Sequence, residues 1–185
     1  MVCCMNASKN KGDRGEREAV EVLKDLAPDL VLPNAMRKLG AGRKEDTGDL
    51  HVFEDVTIQV KCLKHIGDAL RQAATGALVQ SERAGTRFHV GMAPVPNARR
   101  DGVRWICAAT HWPSTPHDEL PSFTDVTKAV EYLRHDTSCA IEPHSRVAVV
   151  ERKGHDLLFV APVTVWVDAL RAARLVAYSN SERSL

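Results

Sequence analysis

The chain has 185 residues, 44% of them apolar and 26% charged, with a formal net charge of +1. That is enough for one good hydrophobic core plus a modest appendage, and too little for two full domains. No apolar run approaches the roughly 18 residues a membrane span needs, so no membrane partner is expected, and the composition is not that of a disordered chain. The first residues lack the apolar core of an export signal. Cys3, Cys4, Cys62, Cys107 and Cys139 show no CxxC pairing, which points to reduced thiols in a cytoplasmic setting and away from structural zinc.

Charge is spread unevenly. Residues 1–105 carry 17 Lys/Arg against 14 Asp/Glu, whereas residues 106–185 carry 8 against 10. The bias is small, so position matters more than sum. Lys9, Lys11, Arg14 and Arg17 cluster early, and Arg37, Lys38, Arg43 and Lys44 surround a glycine-rich stretch.

In chain order, Asp13 to Ala27 reads as a helix, with Ala19, Val20, Leu23 and Leu26 on one side and Pro28 closing it. Leu30 to Met36 reads as a short strand and residues 40–48 as a basic loop. Two alternating runs, Asp49 to Phe53 and Val56 to Cys62, meet at Glu54-Asp55 as a hairpin. Ile66 to Ala84 suits a long helix ending near Gly85. Strands are expected at Arg87 to Met92 and Val103 to Ala109, separated by a turn at Pro94-Val95-Pro96-Asn97.

Pro113, Pro116 and Pro121 mark residues 112–123 as a linker. Beyond it Ser122 and Asp125 resemble a capping pair for a helix to Arg134. Arg146 to Glu151 and Asp156 to Val160 form a hairpin around Lys153-Gly154, and Trp166 to Tyr178 a closing helix. The expected organisation is an α/β core over residues 9–111, then the linker, then an α+β extension over 124–185. So short an extension is marginal as an independent core, so it either lengthens the first sheet or makes a dimer contact.

Three polar positions stand out by local period. At about 100° per residue Glu16 falls within the apolar sector of its helix and points toward the sheet, where an unpaired carboxylate is costly. In the second hairpin strand Thr57, Gln59 and Lys61 oppose Ile58 and Val60, and in the first Asp49 and His51 oppose Leu50 and Val52. A carboxylate, an amide and an ammonium group converging on one sheet can hold Mg²⁺, which takes a few hard oxygen ligands and keeps several waters. A lysine beside the ion can position or help deprotonate an attacking water. The chemistry implied is hydrolysis of a phosphodiester.

Gly48-Asp49-Leu50 followed by Gln59-Val60-Lys61 resembles the D…(E/Q)xK signature of the PD-(D/E)XK nuclease superfamily. Residues 11–18, KGDRGERE, are further similar to the opening of archaeal-type Holliday-junction resolvases. The resemblance covers roughly residues 9–92. It implies a restriction-endonuclease-like core, αβββαβ with a mixed sheet flanked by helices, and a Mg²⁺-dependent endonuclease, with Mn²⁺ able to substitute. Glu16, Asp49, Gln59 and Lys61 would be catalytic, the first three as metal ligands. The substrate would be branched or four-way DNA, and symmetric cleavage would require a homodimer. Lys11, Arg14, Arg17, Arg37, Lys38, Arg43, Lys44 and Lys64 are the expected DNA contacts.

Gln59 departs from the commoner glutamate: it offers an oxygen but no charge, and Glu45, Asp46 or Glu54 are candidate compensating carboxylates. Two other readings stay open. One is another nuclease of the superfamily, restriction-like or a repair exonuclease; the other is a catalytically silent DNA-binding module. A solvated hairpin also produces D…QxK spacing by chance, and a carboxylate early in a helix also complements its dipole.

Overall fold

The structure, a computed structural model, describes residues 4–38, 48–96, 104–114, 120–135 and 146–182. It is an α/β arrangement of eight strands in one mixed sheet, flanked by four helices. The elements run α1 (Cys4–Leu26), β1 (Val31–Arg37), β2 (Leu50–Phe53), β3 (Val56–Val60), α2 (Ile66–Ala84), β4 (Phe88–Pro94), β5 (Trp105–Ala109), β6 (Ser122–Phe123), α3 (Val126–His135), β7 (Ala148–Val150), β8 (Leu158–Pro162) and α4 (Val163–Glu182). Among the described residues no helix is long and apolar enough to cross a membrane.

The strand order is β1-β2-β3-β4-β5-β8-β7-β6. The first three strands are antiparallel neighbours. Crossover helix α2 returns the chain so that β4 lies parallel to β3, with Gln59 opposite Gly91. Beyond β4 the later strands continue the same sheet: β5 pairs with β4, β8 with β5, β7 with β8, and β6 closes the far edge. Pro33 sits in β1, an edge strand with a register irregularity, where a residue that cannot donate to the ladder is tolerated.

Strand alternation divides the core into two layers. Ile58, Val60, Val90, Met92, Trp105 and Cys107 pack with Ala19, Val20 and Leu23 of α1 and Trp166 and Leu170 of α4. Ile106, Ala108, Val150 and Val160 pack with Leu70 and Ala74 of α2 and Val126, Ala129 and Leu133 of α3. Each face is therefore covered by one early and one late helix.

Several boundaries differ from the sequence reading, each for a local reason. Helix α1 begins at Cys4, not Asp13, because residues 6–11 contain no proline and Gly12 and Gly15 are carried inside the helix. Strand β5 is Trp105–Ala109, the expected start at Val103 lying outside the described residues, and α4 leaves β8 directly at Val163 without waiting for Trp166. Ser122 is not part of a cap but lies in β6. Asp125 alone caps α3, its Oδ1 accepting from Thr127 N at 2.8 Å and Lys128 N at 3.3 Å. The expected glycine-rich loop falls almost wholly outside the described residues.

Candidate functional site

The site is assembled where β2 and β3 leave the hairpin at its open end. Gly48 turns the chain into β2 with φ +106°, and a Cβ there would lie 3.1 Å from Thr57 Cγ2 and 3.2 Å from the Ile58 carbonyl oxygen. Only glycine meets both the backbone angle and the close approach without strain. Asp49 is then fixed by its backbone on both sides: its N–H donates to Ile58 O at 2.9 Å and its carbonyl accepts from Lys38 N at 2.7 Å.

With the backbone held, the Asp49 side chain reaches across to β3. Its Oδ2 accepts from Gln59 Nε2 at 2.5 Å and from Val60 N at 2.8 Å. Gln59 is only 3% exposed and its Oε1 is buried without a hydrogen-bond partner. An ionised carboxylate beside the amide requires the donor end to face it, which leaves the carbonyl end unpaired. Lys61 follows on the same face, its N–H donating to Met92 O at 3.0 Å. Asp49, Gln59 and Lys61 line a single recess with Gln72, Gly76 and Gln80 of α2.

Two glycines permit this burial. A Cβ at Gly91 would lie 2.3 Å from Ala74 N and 2.4 Å from Ala73 C, so α2 rests directly on the β4 backbone. On the flank of α2 a Cβ at Gly76 would touch the Gln59 side chain at 3.4–3.6 Å, which is ordinary van der Waals contact. The helix therefore lies over the amide that Asp49 engages.

Glu16 comes from the other layer. Helix α1 approaches the end of β3 so closely that a Cβ at Gly15 would lie 2.1 Å from Cys62 Sγ. Burial pushes the Glu16 carboxyl above its ordinary range, and the charge of Asp49 raises it further, while Arg37 and Lys61 pull it down. Burial likewise raises the Cys62 thiol, with Lys11 opposing. Arg37 Nε lies 3.0 Å from Glu16 Oε2, an ion pair without hydrogen-bond alignment, and its Nη2 donates to Asp13 Oδ1 at 2.8 Å. The helix carboxylate that the sequence leaves unpaired is thus paired.

The expected DNA contacts divide. Lys11, Arg14, Arg17 and Lys64 are exposed. Arg37, by contrast, is mostly buried and forked between Asp13 and Glu16, so it serves to hold the site together. Lys38 contributes its backbone N–H to Asp49. Arg43, Lys44, Glu45 and Asp46 lie outside the described residues. Glu54 is at the closed end of the hairpin, about five strand residues and hence about 16 Å from Asp49, which rules it out as a compensating carboxylate.

Among the described residues no three His, Cys, Asp or Glu side chains gather to hold a metal ion by themselves. The oxygens at hand are those of Asp49, Glu16 and Gln59, so the amide is the third donor. Its carbonyl oxygen is buried and unpartnered, and turning the amide over would bring it to the Asp49 side. That set fits a hard divalent cation that keeps most of its waters.

The sequence reading missed the α2 contribution. Gln72, Gly76 and Gln80 recur every four residues, a helical stripe, and Gln80 is 8% exposed with its Oε1 also unpartnered. The period was available; that this flank would face β3 required the register of β3 on β4. Comparison of the chain with protein-family models, curated proteins and solved structures found nothing that matches.

Proposed function

We propose that the chain is a metal-dependent, structure-selective DNA endonuclease with a restriction-endonuclease-like core, resolving branched DNA such as a four-way junction as a homodimer. The observation that carries this reading is the direct contact of Asp49 with Gln59 at the hairpin opening, in one recess with Lys61 and close enough to Glu16 to raise its carboxyl. Asp49, Glu16 and Gln59 would hold Mg²⁺ or Mn²⁺. When bound, the ion would supply Lewis acidity and neutralise charge at the scissile phosphate.

The chain's own groups support the remaining work. Lys61 presents an ammonium group to a phosphate oxygen or an attacking water from a strand end held by Met92. Arg37, with its Nε 3.0 Å from Glu16 Oε2, supplies the positive charge beside the Glu16 carboxylate.

One observation favours a second reading. Gln59 Nε2 and Val60 N both donate to Asp49 Oδ2, so this carboxylate oxygen is held within the protein, an arrangement that also suits a silent DNA-binding module. Incubation with labelled four-way junction, flap, duplex and single-stranded DNA in Mg²⁺, Mn²⁺ or EDTA separates the two. Metal-dependent cleavage supports the nuclease; binding without cleavage of any substrate refutes it.

A further inference from the structure

Two buried amides border the recess of Asp49 and Lys61, one from the sheet and one from the helix above it: Gln59 of β3 and Gln80 of α2. Their side chains are withdrawn from water, the residues being 3% and 8% exposed, and among the described residues neither Oε1 has a hydrogen-bond partner. A buried acceptor without a donor is costly, and most such groups in folded proteins are paired. As they stand the two oxygens cannot satisfy each other, because both accept.

The fold brings the two residues to the same place. Because β4 returns parallel to β3 after α2, the helix runs back against the direction of β3. Four helix residues rise about 6 Å and two strand residues about 6.6 Å, so the stripe Gln72, Gly76, Gln80 keeps step with Lys61, Gln59, Thr57. The middle of that register is fixed by contact: a Cβ on Gly76 would lie 3.4 Å from Gln59 Cγ and 3.6 Å from its Oε1. Helix side chains lean toward the helix N-terminus, which directs Gln80 back over Gly76, and Gly76 has no side chain to part it from Gln59. Thr57, the strand residue in step with Gln80, has its hydroxyl on Thr86 Oγ1 at 2.7 Å.

An amide can exchange its donor and acceptor ends within one volume by a half-turn of its last torsion, which has broad, roughly two-fold preferences. In the metal-free arrangement Gln59 gives Nε2 to Asp49 Oδ2 and leaves Oε1 under α2. With Asp49 engaged by a cation, Nε2 loses that acceptor. A half-turn then presents Oε1 on the Asp49 side, where it can serve as a ligand, and places Nε2 under α2, where Gln80 Oε1 lacks a donor. One rotation pairs both orphaned oxygens.

We propose that Gln80 is a positioning residue for the metal site, its Oε1 accepting from Gln59 Nε2 in the cation-loaded state and so holding the Gln59 carbonyl toward the ion. The assignment rests on the metal-dependent reading for its cation. It also gives a reason for glutamine at position 59: a carboxylate there would have no N–H to give Gln80.

Binding of Mn²⁺ to the DNA-free chain, followed by loss of the free-ion EPR signal, is compared in the wild type, Gln80→Met and Gln80→Glu. Gln80→Met keeps the size of the side chain and removes the acceptor, and should weaken Mn²⁺ binding about fivefold, as expected for one lost hydrogen bond. Gln80→Glu keeps an acceptor oxygen and should bind at least as tightly as the wild type. In EDTA, where Gln80 Oε1 has no donor to lose, Gln80→Met should melt no lower than the wild type; a merely structural Gln80 would show the reverse, a lower midpoint with unchanged Mn²⁺ affinity. In the isotope-labelled wild type, NMR contacts of the Gln59 Nε2 protons should move from the Val60 N–H in EDTA to the Gln80 side chain in Mg²⁺. Wild-type Mn²⁺ affinity in Gln80→Met, or Gln59 contacts that Mg²⁺ does not move, would overturn the proposal, and a wild type that binds no Mn²⁺ would overturn it together with the metal-dependent reading. Cleavage is scored separately: Mn²⁺ effects as described without cleavage of any DNA refute only the nuclease, and cleavage with Gln80→Met binding Mn²⁺ normally refutes only the role of Gln80.

Discussion

Replacing Gln59 by glutamate tests the chemistry of the site through stability as well as through rate. Gln59 Nε2 and Asp49 Oδ2 are 2.5 Å apart, and the residue is 3% exposed. A glutamate in the same rotamer sets two carboxylates roughly 3 Å apart, where like charges repel by on the order of 5 kcal/mol at an effective dielectric of about 20. Much of this would be avoided by sharing one proton or by displacing the hairpin end. In EDTA at pH 8 the Gln59→Glu protein should therefore be less stable than the wild type by about 3 kcal/mol, the lower end of the range seen when a buried charge is left uncompensated. A divalent cation between the carboxylates removes the repulsion, so Mg²⁺ should restore much of the loss, and lowering the pH toward 5 should do so in EDTA. Thermal melts with and without Mg²⁺ at pH 5, 7 and 8 measure this directly. A variant as stable as the wild type in EDTA at pH 8, with no response to Mg²⁺, would show that position 59 does not face Asp49.

Asp49→Asn should abolish Mg²⁺-dependent cleavage of junction DNA while leaving the exposed cations to bind it, as a gel-shift and cleavage pair would show; retained cleavage would remove Asp49 from the site. Gly91→Ala drives a Cβ into the Ala73–Ala74 backbone, and an urea midpoint should report a loss of about 3 kcal/mol or more. Because burial and Asp49 raise the Glu16 carboxyl, its ionised form disfavours the fold as pH rises through that raised value, so Glu16→Gln should melt higher than the wild type at pH 8 and lose the advantage near pH 4. His89 is held down to about 4 by burial and then by His111, with its Nε2 on Thr110 Oγ1 at 2.8 Å. The unfolded chain therefore takes up a proton that the folded one refuses, and stability should fall between pH 6.5 and about 4, by up to about 3 kcal/mol. His89→Gln should flatten that part of the urea-midpoint profile.

The order of elements through β4 was legible because each is written in its own period: alternation in β2 and β3, an apolar helical stripe in α1, and an Ala-rich run closed by Gly85 in α2. The lengthening of the sheet by β8, β7 and β6 was left as one of two alternatives. Strand partners beyond a crossover are chosen by packing between distant segments, here Ile106 and Ala108 with Val160, and local period carries no information about them. The expected start of α1 at Asp13 is late because the apolar stripe that marks the helix, Ala19, Val20, Leu23 and Leu26, does not reach its first turns. Gly15, inside the helix, is the point at which α1 meets Cys62.

At the site, sequence reasoning brought Asp49, Gln59 and Lys61 to one face because a strand of period two leaves no other choice. It could not see that Gln59 would be buried. An alternating hairpin with Thr57, Gln59 and Lys61 on one side reads as half-solvated, and only the direct rest of α2 on Gly91 covers that side. The same burial changes what Arg37 can do. With Glu16 withdrawn from water and raised by Asp49, a cation has to sit beside it for the carboxylate to stay charged, and Arg37, on the strand next to β2, is within reach. A basic residue beside a glycine-rich loop looks like a phosphate contact in sequence, but in the fold its charge is committed to Asp13 and Glu16.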